Sequence, residues 1–144
     1  MTTLHIYLTF NGNCEEAFEF YKSVFGVDYE SFSRFNEMPP QEGMPPISDE
    51  EANLVMHASL KINEHSVLMG SDTGRQWASH FKEGNNFSIS VNVDTKEEAD
   101  KLFEKLSVDG QITMPMEQTF WESYFGMLTD QFGISWMVGT ESKS

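Results

Sequence analysis

The chain reads as an α+β protein in which one module is used twice. Three observations predict this. Residues 4–26 (LHIYLTFNGNCEEAFEFYKSVFG) run strand, turn and amphipathic helix, and residues 88–110 (SISVNVDTKEEADKLFEKLSVDG) repeat that order. Both copies open the helix with Glu-Glu-Ala and stop it at a Gly. After each helix, apolar and polar residues alternate at a period of two, the pattern of half-buried strands. The predicted order is therefore strand-helix-strand-strand-strand, twice, in a single domain over 1–144 with modules at about 1–72 and 86–140. Each helix covers the apolar face of its half-sheet from outside, and the opposite faces of curved mixed sheets surround a concave cavity.

The first strand turns Leu4, Ile6, Leu8 and Phe10 to the helix and His5, Tyr7 and Thr9 to the cavity. Asn11-Gly12-Asn13 is the turn, and Asn13 with Glu16 has the spacing of a capping box. Ala17, Phe18, Tyr21, Val24 and Phe25 follow helical spacing, and Gly26 ends the helix. Residues 28–35 form the second strand. Residues 36–52 hold four of the five prolines and five acidic residues, so a long loop without regular structure is predicted there. In 53–62, Leu54, Met56, Ala58, Leu60 and Ile62 face the helix, while Val55, His57, Ser59 and Lys61 face the cavity. Residues 65–71 pair with that strand, and 72–86 connect the modules.

In the second module Phe87, Ile89, Val91 and Val93 face the helix, and Ser88, Ser90 and Asn92 the cavity. Thr95 caps a helix whose apolar stripe is Ala99, Leu102, Phe103 and Leu106. Strands at about 111–118, 122–129 and 134–139 complete it, with Asp130-Gln131-Phe132-Gly133 as the last tight turn. Ile134, Trp136 and Val138 point to the helix, leaving Ser135 and Met137 to the cavity.

Composition narrows the function. The 144 residues, 39% hydrophobic with twelve Phe, suffice for a packed interior. The net charge is −14, the pI near 4.4, and the nine Lys and Arg are scattered. Phosphate backbones and anionic membrane surfaces need clustered cations, so neither is an expected partner. No apolar run spans a bilayer, and no basic segment precedes an apolar one at the start, so a cytoplasmic protein is expected. The single Cys14 rules out an internal disulfide and fits a reducing compartment. At the first turn of a helix its thiol is a candidate nucleophile, although no His or second Cys is near it in sequence. The Glu15-Glu16 and Glu97-Glu98 pairs are read as helix-start residues favoured by the dipole. Met114, Met116 and Met127 read as adaptable packing that would also suit a pocket tolerant of different ligands. The sequence contains no phosphate-binding loop, dinucleotide glycine pattern, nucleophile elbow or glycine-rich strand-to-helix turn for a methyl donor.

These residues resemble the vicinal oxygen chelate superfamily of glyoxalases, bleomycin-resistance proteins and extradiol dioxygenases, and within it the PhnB-like branch. The resemblance rests on YLTFNGNCEEAFEFYKSVFG (7–26), VMHASLKI (55–62), LMGSD (68–72), EEADKLFEKLSVDG (97–110) and TFWESYFGMLTDQFGISWMV (119–138). It implies paired βαβββ modules of the glyoxalase/bleomycin-resistance type, usually in a homodimer. It also implies four metal positions on the cavity face in the metal-dependent members. Carried onto this chain these are His5, His57, Ser88 and Met137, with His5 matching Ser88 in the repeat and His57 roughly matching Met137. Two imidazoles, a hydroxyl and a thioether are a poor set for a divalent ion, which normally takes about three protein ligands. No cofactor is therefore expected; a divalent metal, if bound, would fall to His5 and His57. The same two histidines are otherwise an acid–base pair, or hydrogen-bonded residues of a half-buried sheet. Trp121, Glu122 and Tyr124, from the family-like segment, read either as an aromatic wall with one carboxylate or as core and interface residues. The expected function is binding of a small organic ligand by a homodimer, with a pocket of His5, Tyr7, Thr9, His57, Ser59, Ser88, Ser90, Trp121, Tyr124 and Met137. The alternative is a metal-dependent lyase, isomerase or dioxygenase with an altered ligand set.

Overall fold

The computed structural model describes residues 2–37, 43, 47–74, 79–119 and 123–140. The elements are β1 (Ile6–Phe10), α1 (Cys14–Phe25), β2 (Tyr29–Arg34), α2 (Asp49–Ala52), β3 (Val55–Asn63), β4 (Ser66–Asp72), β5 (Ile89–Asn92), α3 (Lys96–Ser107), β6 (Gln111–Gln118), β7 (Tyr124–Thr129) and β8 (Ser135–Thr140). The chain divides into two compact units, Met1–Phe81 and Lys82–Ser144. Each unit holds one four-stranded mixed sheet, ordered β1-β4-β3-β2 in the first and β5-β8-β7-β6 in the second. In each, the first strand runs parallel to the last and the rest are antiparallel. The predicted βαβββ order thus occurs twice. Within the 36–52 stretch, the described residues depart from the expected plain loop. They include a 3-10 turn at Phe35–Glu37 and the single-turn α2, capped by Ser48, whose Oγ accepts from Glu51 N at 3.3 Å. Prolines 39, 40, 45 and 46 lie outside the described residues.

The helices bury the stripes that their spacing predicts. Ala17, Phe18 and Tyr21 of α1 are fully buried, and Leu8, Ala58, Leu60 and Leu68 of the sheet are buried with them. Phe18 meets Phe10 edge-on at 6.2 Å and Tyr21 at 5.8 Å between ring centroids. Packing is tightest at Gly70, where a Cβ would lie 2.6 Å from the Phe18 ring and 2.8 Å from the Leu8 carbonyl. In the second unit Ala99, Leu102, Phe103 and Leu106 of α3 are buried, as are Ile89, Leu128, Trp136 and Val138 of the sheet.

Helix ends show what local sequence settles. Gly26 adopts φ 65° and its N–H reaches the Lys22 carbonyl, the left-handed stop predicted for α1. Thr95 caps α3, its Oγ1 accepting from Glu98 N at 3.1 Å. Asn13 makes no side-chain cap, so the predicted capping box does not form. Its place is taken by Asp72, buried at the end of β4. Asp72 Oδ1 accepts from Gly12 N at 2.9 Å and Cys14 N at 3.0 Å, and Oδ2 accepts from Val55 N at 2.9 Å. One carboxylate thus ties the β1–α1 turn, the helix start and the entry of β3 to the end of β4. A carboxylate outcompetes an amide because charge strengthens each bond and the helix N-terminus favours a negative group. In the second unit Asp130 has a similar part in the β7–β8 turn. It accepts from Phe132 N at 2.8 Å, Ile134 N at 3.1 Å and the Trp136 indole at 2.8 Å.

Three expectations about facing need correction. Leu4 precedes β1 and is 90% exposed, so it does not pack under a helix, whereas Ile6 keeps the expected face, in register with buried Leu68, and is 37% exposed at the start of the strand. Phe87, just before β5, is likewise exposed. Alternation continues in sequence past the point where the ladder and the helix cover end. Val55, expected to face the cavity, is 1% exposed. Ser33 pairs with His57 but Arg34 with Val55, so a bulge at Met56 breaks the two-residue period.

Arg34 closes the base of the loop that follows β2. Its guanidinium grips Glu15 on α1 with two bonds, 3.1 and 2.7 Å, and donates to the Asn53 carbonyl at 2.9 Å. Glu15 is therefore more than a helix-start residue. Hydrogen bonding to Arg34, aided by its charge and opposed by partial burial, holds the Glu15 carboxyl below the usual carboxylate range.

Two outcomes follow from these contacts. Asp72→Asn turns an amide N–H2 or a single acceptor toward three buried N–H groups, and should cost roughly 2 kcal/mol by urea denaturation. A loss of under about 0.5 kcal/mol would contradict the role given to Asp72. Glu15 has a depressed folded pKa, so its pairing stabilises above the unfolded carboxyl pKa of about 4.3. That contribution is lost as pH falls through the lower folded value. The stability gap between wild type and Glu15→Gln should thus shrink between pH 5 and lower pH, from a small value because the pair is half-exposed. A gap that stays constant down to pH 2 would contradict the pairing.

Candidate functional site

The face of each sheet turned away from its helix carries the chemistry. In the first unit the ladder aligns Tyr7, Met69, Ser59 and Ser31 in one row across β1-β4-β3-β2. The next row contains Thr9 paired with Ser71, and His57 paired with Ser33. The Tyr7 and His57 rings lie 6.0 Å apart, tilted by 35°. His57 is half-buried, and Tyr7 is 50% exposed. Ser59 is buried and shares a 2.9 Å hydrogen bond between hydroxyls with Ser31. His5 precedes β1 and is exposed, outside the ladder that orders Tyr7 and Thr9.

In the second unit the corresponding row is Ser90, Met137, Met127 and Met114. The next aligns Asn92, Gly139 and Phe125, with Glu117 opposite Phe125. An open hollow of about 180 Å³ lies here, bordered by Ser90, Asn92, Ser123, Tyr124, Phe125, Met137, Val138, Gly139 and Thr140. Gly139 helps to keep it open, since a Cβ there would lie 2.7 Å from Phe125 Cβ. Of the predicted pocket residues, the hollow gathers Ser90, Tyr124 and Met137. Ser88 precedes β5, is exposed and does not border it. Trp121 and Glu122 lie outside the described residues.

Tyr124 borders the hollow yet turns its hydroxyl to α3. It donates to Asp100 Oδ1 at 2.6 Å, and the Lys96 ammonium lies 5.3 Å from its ring centroid. That hydrogen bond, with some burial, raises the phenol pKa. Phe125, Gly139 and the two further methionines of the row, Met127 and Met114, were not among the predicted pocket residues. The signal for Phe125 and Met127 was available in β7, where they alternate with Gly126 and Leu128.

The four positions carried over as metal sites do not form a matched set. β8 holds the place in its sheet that β4 holds in the first, so Met137 corresponds to Met69. His57, on β3, corresponds to Phe125 on β7. The expected match of His57 with Met137 is therefore corrected. Among the described residues, no group of three or more His, Cys, Asp or Glu is placed to hold one ion. With an exposed His5, a half-buried His57, a hydroxyl and a thioether, the donors present do not fit a divalent centre.

Cys14 is fully buried. Burial chiefly, with the nearby Asp72 and Glu15 carboxylates, pushes its thiol well above the ordinary range. A buried neutral thiol is not a nucleophile, so the helix-start position does not activate it.

Two βαβββ modules, each with a helix on one face and a chemically varied opposite face, define a protein of the glyoxalase/bleomycin-resistance fold and the vicinal oxygen chelate superfamily. Over residues 2–139 the chain matches the family described as 3-demethylubiquinone-9 3-methyltransferase, and it belongs to that family. It is similar to protein PA1353 from Pseudomonas aeruginosa, with 37% identity, coverage of 97% of this chain and 98% of that one, and a TM-score of 0.83. It is also similar to a PhnB protein from Bacillus cereus, with 30% identity over 96% and 99% of the two chains and a TM-score of 0.73. Protein YjdN of Escherichia coli (strain K12) is 29% identical over 137 residues, 92% of this chain and 90% of YjdN. At 16% identity, a glyoxalase/bleomycin resistance protein/dioxygenase family enzyme from Burkholderia phytofirmans PsJN shares the fold, with a TM-score of 0.63 over 96% and 97% of the chains.

The thiol makes a direct check. In native protein Cys14 should react with a thiol-specific disulfide reagent only at the rate of global unfolding, even at pH 9. Rapid stoichiometric labelling without loss of structure would contradict its burial.

Proposed function

We propose that the chain is a small-molecule-binding protein whose ligand site includes the hollow on the second sheet, and that it works as a cytoplasmic homodimer without a divalent metal centre. The observation that carries this reading is the hollow of about 180 Å³ with Met137 and Phe125 on its wall and Ser90 and Asn92 at its rim. Apolar surface with a few placed polar groups is the usual make-up of a ligand site. The dimer is supported by apolar side chains left open beside the edge strands: Leu4, Ile6 and Phe87. Among the described residues no helix is long and apolar enough to cross a membrane.

Methyl transfer, the activity in the family's description, finds little support in these residues. The sequence has no glycine-rich strand-to-helix turn for a methyl donor. The turn that could serve, between β1 and α1, has its Gly12 and Cys14 N–H groups engaged by Asp72. The metal-dependent lyase, isomerase or dioxygenase reading rests on His5 and His57 alone, and among the described residues no group of three or more His, Cys, Asp or Glu is placed to hold an ion.

The reading is tested on untagged protein purified without chelator. Metal analysis should find no stoichiometric ion, and chelator should leave Tm unchanged, because no metal-binding energy is linked to folding. Stoichiometric Zn, Ni, Fe or Mn, lost on His5→Ala or His57→Ala, would promote the enzyme reading. In a small-molecule stability screen, compounds that raise Tm should lose that effect in Met137→Trp, which fills the hollow from a half-exposed position. Compounds stabilising both proteins equally would place the ligand elsewhere. Light scattering at micromolar concentration should give twice the chain mass; a monomer mass would remove the dimer.

A further inference from the structure

The geometry points to a class of ligand for this hollow: an uncharged molecule with a single aromatic ring and a hydroxyl or carbonyl substituent. The inference rests on the reading that the hollow is the ligand site.

Charge is decided first. Among the described residues, no Asp, Glu, Lys, Arg or His borders the hollow. The Tyr124 phenol is turned away to α3, where it donates to Asp100, and so presents no charge to the hollow. An ionic ligand would give up hydration here with no opposite charge to meet it. The net charge of −14 disfavours anions further, by repelling them at a distance.

The ring follows from the wall. Met137 and Phe125 both border the hollow, and Met127 pairs with Met137 in the adjoining row. A thioether is polarizable and favours the edge of an aromatic ring, and Phe adds an offset or edge-to-face partner. An aliphatic ring of the same size gains neither term. Room sets the number of rings. About 180 Å³ compares with the roughly 150 Å³ of an engineered cavity that accepts benzene, so one ring and a small substituent fit.

The substituent is set by the rim. Ser90 and Asn92 are exposed on edge strand β5, with Asn92 two residues beyond Ser90 on the same face. A Ser hydroxyl and an Asn amide each supply a donor and an acceptor. Together they suit a neutral hydroxyl, ketone or carboxamide, which can both give and take a hydrogen bond or accept two.

The test uses three probes against the full-length, isotope-labelled protein, followed by amide chemical shifts. Benzamide carries the ring and the neutral head group, benzoate keeps the ring but adds charge, and cyclohexanecarboxamide keeps the head group but loses aromaticity. Benzamide should shift the amides of Ser90, Asn92, Phe125 and Gly139 saturably. Benzoate and cyclohexanecarboxamide should each bind about tenfold more weakly. Met137→Leu, which keeps apolar bulk but removes sulfur, should weaken benzamide several-fold and leave cyclohexanecarboxamide unchanged. Asn92→Ala, at an exposed edge position, should weaken both amides alike. Equal affinity for cyclohexanecarboxamide would overturn the aromatic assignment, and equal or tighter benzoate binding would overturn neutrality. Absence of saturable shifts at these amides with all three probes would overturn the ligand class altogether. In each of these cases the pocket reading falls only if Met137→Trp also leaves the stability-screen compounds unaffected, so the two failures are separable.

Discussion

A buried carboxylate that gathers three N–H donors organises each module. Asp72 holds Gly12, Cys14 and Val55; Asp130 holds Phe132, Ile134 and the Trp136 indole. Both side chains are buried, and each joins a strand end to neighbouring chain that would otherwise leave N–H groups unpaired away from water. The consequence is register. Asp72 fixes where β3 enters beside β4, and Asp130 fixes the turn that sets β7 against β8. A slip of one residue in either place would exchange the two faces of the sheet and bury the polar residues under the helix.

With register fixed, the two helix-free faces differ sharply in chemistry although the backbones repeat. The first carries hydroxyls, with Tyr7 beside His57. The second puts three methionines in the row where the first has one methionine and two serines. The helix-side packing is alike in the two units, while the opposite face of the second carries, among the described residues, a methionine- and phenylalanine-rich lining around the hollow. This is the physical ground for favouring ligand binding over metal chemistry: the positions are open to a small molecule, and the donors are wrong for a divalent ion.

Much of this was legible in the sequence because it is local. Alternation at a period of two put Tyr7, Thr9, His57, Ser90 and Met137 opposite the helices, and the ladders place them there. The Thr95 cap, the Gly26 stop and the Asp130–Gly133 turn each depend on a few neighbouring residues. The errors come from what local pattern does not carry. Asn13 and Glu16 have the spacing of a capping box, but the acceptor is Asp72, about sixty residues away in the chain. The bulge at Met56 broke the alternation that assigned Val55. Leu4 and Phe87 continue an apolar alternation beyond the ends of their strands, where no helix covers them. Pairing His57 with Met137 confused strands in different positions of their sheets, which only the ladder order β1-β4-β3-β2 and β5-β8-β7-β6 separates.

Native-state hydrogen exchange addresses the organising carboxylates most directly. The amides of Gly12, Cys14, Val55, Phe132 and Ile134 and the indole of Trp136 would be followed by NMR under conditions that favour folding. Gly12, Phe132 and Ile134 lie in turns, where amides ordinarily exchange quickly. If Asp72 and Asp130 hold them, all six protons should be protected to a degree near that of the central β4 and β8 ladders. Exchange of the Gly12, Phe132 and Ile134 amides at the rate of exposed loop amides would contradict the account.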